Sequence, residues 1–251
     1  MAAACPQCGF DPLDWDEADA RRTLRRAGFL LRHAVAGLPP ALQPAVDRLP
    51  GASGDDIGTD PATDPDAELA AVHRLVHHCA AIADLRAAAG DLPPEQRGRV
   101  EQLNTSDGGV PKRPVPEAVV GRRGLLGDRQ LTRRHHGRVW QALCLWSAEV
   151  VEALQAEGHA IGFGSAGENV TIRGLDWSAM RSGLLIDIGA VRARVTVPAE
   201  PCFQNDGWFT DNSSQRIAHD RHPGWSRWYA TVERDGTMRH GDTVVLAPRS
   251  G

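Results

Sequence analysis

The sequence predicts an α+β protein in which a helical amino-terminal region precedes a β-rich carboxyl-terminal region. Before Gly90, apolar residues recur at the three- and four-residue spacing of one helix face. After that point, short apolar runs alternate with glycine-containing turns, which is typical of strands. Gly90 and Pro93-Pro94 break the chain between the two patterns, so we predict one region over residues 1–95 and another over residues 96–251.

The amino-terminal region is predicted to be a helical hairpin. Residues 16–38 form the first amphipathic stretch, and Pro39-Pro40 ends it. Asp66 is a favourable N-cap for a second stretch that runs to Ala89. Residues 51–66 lie between them, are rich in Gly, Pro and Asp, and contain no basic residue. That composition predicts a solvated loop.

The carboxyl-terminal region contains eight short apolar runs, several of which alternate in polarity as AVRARVTV does at residues 190–197. Many short strands with glycine turns favour a barrel or another closed sheet. One helix is predicted from Ser147, its N-cap, to Gly158. The apolar strand positions predict a core that includes Val170, Ile172, Leu185, Ile186, Ile188, Val195, Val197, Val244 and Leu246.

Composition narrows the class of protein. The net charge of −4 gives no general argument for nucleic-acid binding. The chain has no run of eighteen apolar residues, and its first residues lack the basic flank and apolar stretch of a signal peptide. Five cysteines, an odd number, make a poor disulfide framework. We therefore expect a cytoplasmic protein with reduced cysteines and no membrane or nucleic-acid partner.

Five short motifs follow one another in the β-rich region. In this order and at these intervals they resemble the MOSC family, named for the carboxyl-terminal domain of molybdenum cofactor sulfurase. The resemblance covers about the last three-fifths of the chain and implies a mostly antiparallel β-barrel with a few helices. The motifs are NTSDGGVPK at 104–112, GDRQ at 127–130 leading to HHG at 135–137, GEN at 167–169, Pro201-Cys202, and the closing segment at 236–242.

The resemblance also implies a function. It points to binding of the molybdenum cofactor, and with it either reduction of N-hydroxylated compounds or carriage of sulfur or of the cofactor itself. Pyridoxal phosphate binding is another chemistry that it implies at the level of the family. The sequence has no flavin or nicotinamide fingerprint, so a reductase of this kind would act on a small molecule and take electrons from another protein.

Cys202 is the central residue of this hypothesis, because a soft thiolate suits molybdenum or a transferable sulfur atom. Residues 112–138 contain eight basic residues against two acidic ones, and nearby positive charge favours a thiolate. Lys112 is the only lysine in the chain. Arginine binds phosphate in a bidentate manner. The candidates for cofactor binding are Lys112, Arg129, Arg133, Arg134, Asn169 and Cys202.

His136, Glu168 and Asn169 are the residues that we place beside Cys202 in a catalytic site. Imidazole titrates near neutral pH, and the GEN motif could orient a ligand. The structural alternatives are a hydrogen-bonded histidine, a glycine-rich turn, and a cysteine that merely fills the core. Cys144, which lies in the apolar run ALCLW, is predicted to be a core residue.

Two departures from the family pattern affect positions able to pair with an anionic ligand. The closing segment has Thr231 before Val232, where the family usually has arginine, and residues 197–200 before the cysteine read VPAE, where arginine is also frequent. The substrate therefore does not follow from the resemblance.

The amino-terminal region suggests a rival function. Cys5 and Cys8 form a CxxC pair, and His73 and His77 share a helix face, so these four residues could bind zinc. The pattern resembles a truncated DinB-like helical domain, which is a family of metal-binding bundles. Structural histidines on a polar helix face are the alternative explanation. A barrel that has lost its cofactor chemistry is the third functional hypothesis.

Overall fold

The structure is a computed structural model that describes residues 92–131 and 139–247, together with residues 40–42, 44, 84, 86, 87 and 90. The predicted helical hairpin and its acidic loop lie almost entirely outside the described residues. The residues predicted to bind zinc, Cys5, Cys8, His73 and His77, all lie outside the described residues. Of that region, residues Pro40–Leu42 are described as a short 3-10 turn.

Within the described residues, the chain after residue 95 forms eleven strands, one α-helix and several 3-10 turns. The strands are β1 Gln96–Thr105, β2 Arg113–Val115, β3 Glu117–Gly121, β4 Gly124–Leu125, β5 Leu143–Ser147, β6 Val170–Arg173, β7 Leu185–Ile188, β8 Val191–Pro198, β9 Trp228–Arg234, β10 Gly236–Arg239 and β11 Thr243–Ala247. Helix α1 spans Ala148–Ala156, and the 3-10 turns span Val139–Gln141, Trp177–Ala179, Phe203–Trp208 and Ser214–Ile217.

Seven of the strands close into a barrel. The order in the sheet is β11-β7-β8-β9-β5-β6-β1, with β2 added beside β1, and β11 also pairs with β1. Residue Gln96 faces Leu246 at this closure. The pairing of β5 with β6 is parallel, and the other pairings in the barrel are antiparallel. Strands β10, β3 and β4 form a smaller antiparallel sheet. The α+β class and the mostly antiparallel barrel are confirmed.

The predicted core is confirmed as well. All nine apolar strand residues named above have at most 2% of their surface exposed. Strand β8 shows why the pattern was informative, because its inward residues Val191, Ala193 and Val195 are buried while Arg192 and Arg194 are partly exposed. A side chain that faces the interior of a closed barrel has to fill space there, and apolar groups do so without needing hydrogen-bond partners.

Helix α1 begins at the predicted N-cap. The Oγ of Ser147 accepts a hydrogen bond from the backbone N–H of Val150 at 3.3 Å, which satisfies one of the free donors at the start of the helix. The helix buries Val151 and Leu154 against the barrel. It connects two parallel strands that lie next to each other, as a crossover helix must. No helix among the described residues is long and apolar enough to span a membrane.

Candidate functional site

Four of the sequence motifs meet at one pocket. The loop that ends at Lys112, the segment around Arg129, the GEN motif and the cysteine of the Pro-Cys motif all contribute to its wall. Strands β5 and β9 supply Cys144 and Tyr229, which face each other in register. Residues that are 90 positions apart in the sequence, Lys112 and Cys202, therefore lie around the same cavity.

Asn169 connects several parts of the pocket wall. Its Oδ1 accepts a hydrogen bond from the backbone N–H of Cys144 at 3.1 Å, and its own N–H donates to the Cys144 carbonyl at 2.7 Å. Its Nδ2 donates to Oδ2 of Asp128 at 2.9 Å. Asn169 is only 4% exposed, and the amide is largely used in holding β5 to neighbouring segments.

Lys112, which lines the pocket, forms a largely buried ion pair with Asp128, which lies next to the pocket but is not part of its lining. Lys112 Nζ lies 2.5 Å from Asp128 Oδ2, and the two side chains are 10% and 3% exposed. Asp128 Oδ1 also accepts a hydrogen bond from the N–H of Ser106 at 2.9 Å. Because the carboxylate lies directly beside the ammonium group, the positive charge of the chain's one lysine is compensated within the protein.

Glu168 is fully buried behind the flanking residues Gly167 and Asn169, both of which line the pocket. Its Oε1 accepts a hydrogen bond from the N–H of Gly164 at 2.5 Å. Its Oε2 has no hydrogen-bond partner. Burial raises the pKa of the Glu168 carboxyl above its usual range, and the bonds to backbone N–H groups and the charge of Arg227 only partly oppose this.

Gly164 allows the loop beside Glu168 to approach the Lys112 segment closely. Its φ is +85°, and its carbonyl accepts a hydrogen bond from the N–H of Lys112 at 2.9 Å. A Cβ at this position would lie 2.5 Å from the Lys112 carbonyl oxygen and 3.1 Å from Oδ1 of Asn104. Only glycine fits a left-handed backbone with so little space around it.

Arg227 is a pocket residue that the sequence analysis missed. It is 5% exposed, and it donates from Nη1 to the Ala166 carbonyl and from Nη2 to the Glu200 carbonyl at 3.0 Å. Its Nε–H has no acceptor. The available signal was the position of one arginine inside the aromatic run WSRWY. A charge among residues that are predicted to be buried is unusual and often has a specific role.

Asn205 was missed for a different reason. It lies in the 3-10 turn after Cys202, is 2% exposed and lines the pocket, and its Nδ2 has no hydrogen-bond partner. Asparagine is common in exposed turns, so nothing in the sequence FQNDGW distinguishes this residue from an ordinary turn former.

The two described cysteines line the pocket in different environments. Cys202 is partly exposed and directly precedes the 3-10 turn Phe203–Trp208, so the end of β8 and this turn fix its backbone. Its carbonyl accepts hydrogen bonds from the Asn205 N–H at 2.8 Å and from Ser214 Oγ at 3.2 Å. Cys144 is buried, as predicted, and burial raises the pKa of its thiol to about 11.

The other predicted site residues are placed as follows. Arg129 lines the pocket, but its side chain is 76% exposed and pairs with Asp107 at 3.2 Å. His136, Arg133 and Arg134 lie outside the described residues, and so do Cys5, Cys8, His73 and His77. Within residues 92–131 and 139–247, no three His, Cys, Asp or Glu side chains are grouped so that they could hold a metal ion.

The fold and the pocket together define a closed, mostly antiparallel barrel with one accessible cysteine in a pocket that contains buried lysine and arginine. Comparison with known families identifies it further. The family model for the MOSC domain matches residues 132–245, so this part of the chain is similar to the MOSC domain family. A search of curated proteins finds no match.

Several solved structures resemble the barrel. A protein described as hypothetical aligns with 23% identity and a TM-score of 0.50, covering 62% of this chain and 70% of that chain. YiiM from Geobacillus stearothermophilus aligns with 20% identity and a TM-score of 0.49, covering 60% of this chain and 75% of that one. YiiM from Escherichia coli aligns with 21% identity and a TM-score of 0.46, covering 62% and 71%. At these identities the likeness concerns the fold alone.

Proposed function

We propose that the pocket around Cys202 binds the molybdenum cofactor and that the protein reduces N-hydroxylated small molecules. MOSC domains are associated with this cofactor, whereas the role of Cys202 and the reductase activity are our own proposals. One observation carries it: the accessible cysteine of the Pro-Cys motif lies in the same pocket as Arg227, a buried cationic side chain whose hydrogen bonds go to backbone carbonyls.

The chemistry of the pocket fits such a group. The cofactor combines a soft metal centre that carries oxygen ligands with a pterin that bears a phosphate. The thiol of Cys202 is a suitable ligand for the metal. Arg227 and Asn205 each have an N–H group without a protein acceptor, and such donors suit oxygen ligands and phosphate. Among the described residues no acidic side chain lines the pocket, and the nearby Asp128 is already paired with Lys112.

In this proposal each residue has a limited task. Cys202 would hold the metal, which supplies two-electron chemistry when bound. Asn169 and Asp128 keep the wall of the pocket in place through the hydrogen bonds described above. Burial keeps a proton on the Glu168 carboxyl to higher pH than usual. The electrons would come from a separate donor protein.

The test is to produce the full chain in a bacterial host that makes the cofactor, and to measure bound molybdenum by elemental analysis and pterin by fluorescence after oxidation. The parent protein should carry stoichiometric molybdenum. Cys202→Ser should lose it while keeping the same circular-dichroism spectrum, because it removes a soft ligand but few packing contacts. Cys144→Ala is the matched control and should keep the metal.

The other outcomes separate the remaining hypotheses. Zinc alone, or no metal at all, in the parent protein would contradict the proposal. Molybdenum retained in full by Cys202→Ser would remove Cys202 from the mechanism. Sulfur on Cys202 that cyanide releases, in a protein without molybdenum, would assign sulfur carriage in place of reduction.

A further inference from the structure

Arg227 differs from the partly buried arginines of strands β6 and β8 in having no carboxylate partner. Arg173, Arg192 and Arg194 are 18–29% exposed on their side chains, and each bonds a carboxylate at 2.5–2.9 Å. Arg227 is more deeply buried, and its hydrogen bonds go to two backbone carbonyls. A guanidinium taken out of water without a counter-charge is costly. A bound anion would remove that cost.

The acidic groups around the pocket do not provide the missing counter-charge. Asp128 bonds Lys112 at 2.5 Å and is therefore already paired. Glu168 makes no hydrogen bond with Arg227, because its Oε1 accepts from the N–H of Gly164 and its Oε2 has no partner. Lys112 with Asp128 contributes no net charge to the pocket, so the charge of Arg227 remains.

Unused hydrogen-bond donors belong to two residues that line this pocket, Arg227 and Asn205. A guanidinium has five N–H bonds, and Arg227 uses two of them on Ala166 and Glu200. Asn205 is 2% exposed, and its Nδ2 has no acceptor. Buried polar groups are normally paired in a folded protein. Two residues that line one pocket with unpaired donors therefore indicate a ligand that accepts hydrogen bonds.

We propose that Arg227 and Asn205 form an oxyanion-binding subsite in the Cys202 pocket, which takes a carboxylate, a phosphate or a similar oxyanion of the ligand. This subsite extends the proposed function. The identity of the ligand depends on the proposed function, but the binding of an oxyanion by Arg227 and Asn205 does not. The oxyanion has two sources: an acidic group on the substrate, or the phosphate of a bound cofactor. In either case an arginine that was not predicted from the sequence provides the charge that the exposed Arg129 was expected to provide.

The test uses the full chain, purified from a host that cannot make the cofactor, and titrated with inorganic phosphate, sulfate and molybdate in a calorimeter. The parent should show saturable binding of at least one of these anions. Asn205→Asp is nearly isosteric but places a negative charge at the subsite, so it should weaken binding at least tenfold. Arg227→Gln should do the same, whereas the control Arg97→Gln should change it less than twofold, because Arg97 lies outside the pocket lining, is solvent-exposed and pairs with Glu95.

The results are decisive even if one variant does not fold. Arg227→Gln also breaks two hydrogen bonds to backbone carbonyls, so Asn205→Asp settles the question if Arg227→Gln is insoluble. No saturable binding in the parent, or equal binding in folded Asn205→Asp, overturns the proposal and leaves Arg227 as a tie between two loops.

A repeat titration with cofactor-loaded protein then distinguishes the sources. Loss of phosphate binding on loading assigns the subsite to the cofactor, and retained binding assigns it to the substrate. A protein that never binds molybdenum would refute the proposed function, but the titration of the empty chain would still decide the subsite.

Discussion

Lys112 Nζ and Asp128 Oδ2 lie 2.5 Å apart beside the pocket, and both side chains are almost entirely buried. Asp128 also accepts hydrogen bonds from Ser106 and Asn169. Asp128→Ala would leave a buried ammonium group and two N–H donors without partners. We expect it to lower the free energy of unfolding by about 3–5 kcal/mol, measured by urea denaturation at pH 7.

Asp107→Ala is the matched control for this prediction. Asp107 pairs with Arg129, but the two side chains are 90% and 76% exposed, and such pairs contribute little because water screens them. The control should leave the urea midpoint unchanged. Similar midpoints for both variants would show that burial of the Lys112–Asp128 pair does not determine its contribution.

The two pocket cysteines should differ in their reaction with iodoacetamide. Burial raises the pKa of the Cys144 thiol to about 11, so near neutral pH almost none of it is the reactive thiolate. Cys202 is partly exposed and should be alkylated first. Peptide mass spectrometry after a short exposure at pH 7.5 would show this. Equal modification of the two peptides while the protein is folded would contradict it.

Glu168 should make stability depend on pH. A carboxyl whose pKa is raised in the folded state favours folding while it is protonated, and this contribution is lost as pH rises through the folded pKa. Glu168→Gln removes the titration and keeps an acceptor for Gly164. We therefore expect the variant to gain stability relative to the parent above pH 4.5, the ordinary pKa of a glutamate, by up to about 1.4 kcal/mol per pH unit.

Glu101→Gln provides a control of opposite sign. Hydrogen bonds from Arg173 hold the pKa of Glu101 below its usual range. This carboxylate therefore stabilises the fold above pH 4.5, and the contribution is lost as pH falls through the lowered value. The Glu101 variant should be less stable than the parent at neutral pH, and the difference should vanish in acid. Parallel pH profiles for Glu168→Gln and the parent would exclude the predicted titration.

Gly164→Ala should destabilise the protein far more than the same substitution at Gly207. The new Cβ would lie 2.5 Å from the Lys112 carbonyl oxygen, with φ at +85°, so the backbone around Lys112 would have to move. Gly207→Ala is the control, because nothing lies within 4 Å of its Cβ and its φ is not in the left-handed region. The midpoint temperature of thermal unfolding should be clearly lower for Gly164→Ala than for the parent, and it should change little for Gly207→Ala.

The sequence predicted the barrel strands well because local pattern determines which side chains face the interior. Val195 and Val197 alternate with exposed or polar residues, and the cap at Ser147 has a recognisable spacing. Neither feature depends on distant parts of the chain. The parallel pairing of β5 with β6 and the order of the strands do depend on distant parts of the chain. For the arrangement of the strands, the motif resemblance was the only guide.

The site was harder to predict than the fold. Cys202 could be selected from its motif, but the burial of Arg227 and Asn205 results from the packing of β9 and a 3-10 turn against loops far away in sequence. Arg129 was chosen because it lies in a basic segment, and local charge does not reveal that it is 76% exposed. Sequence pattern identifies strand faces more readily than it identifies which charged side chains become buried at a pocket.

The pairing of Gln96 with Leu246 has a consequence for how the molecule is made. Strand β1 pairs with β2 and β6 through its later residues, but residues 96–99 gain their partner on the β11 side only when that last strand is available. A ribosome must therefore synthesise nearly the whole region before the ring can close, and until then the edge of β1 is open to other partners. Contacts this distant in sequence slow folding. We expect closure to be a late event after synthesis, during which the nascent chain benefits from chaperones that shield open strand edges.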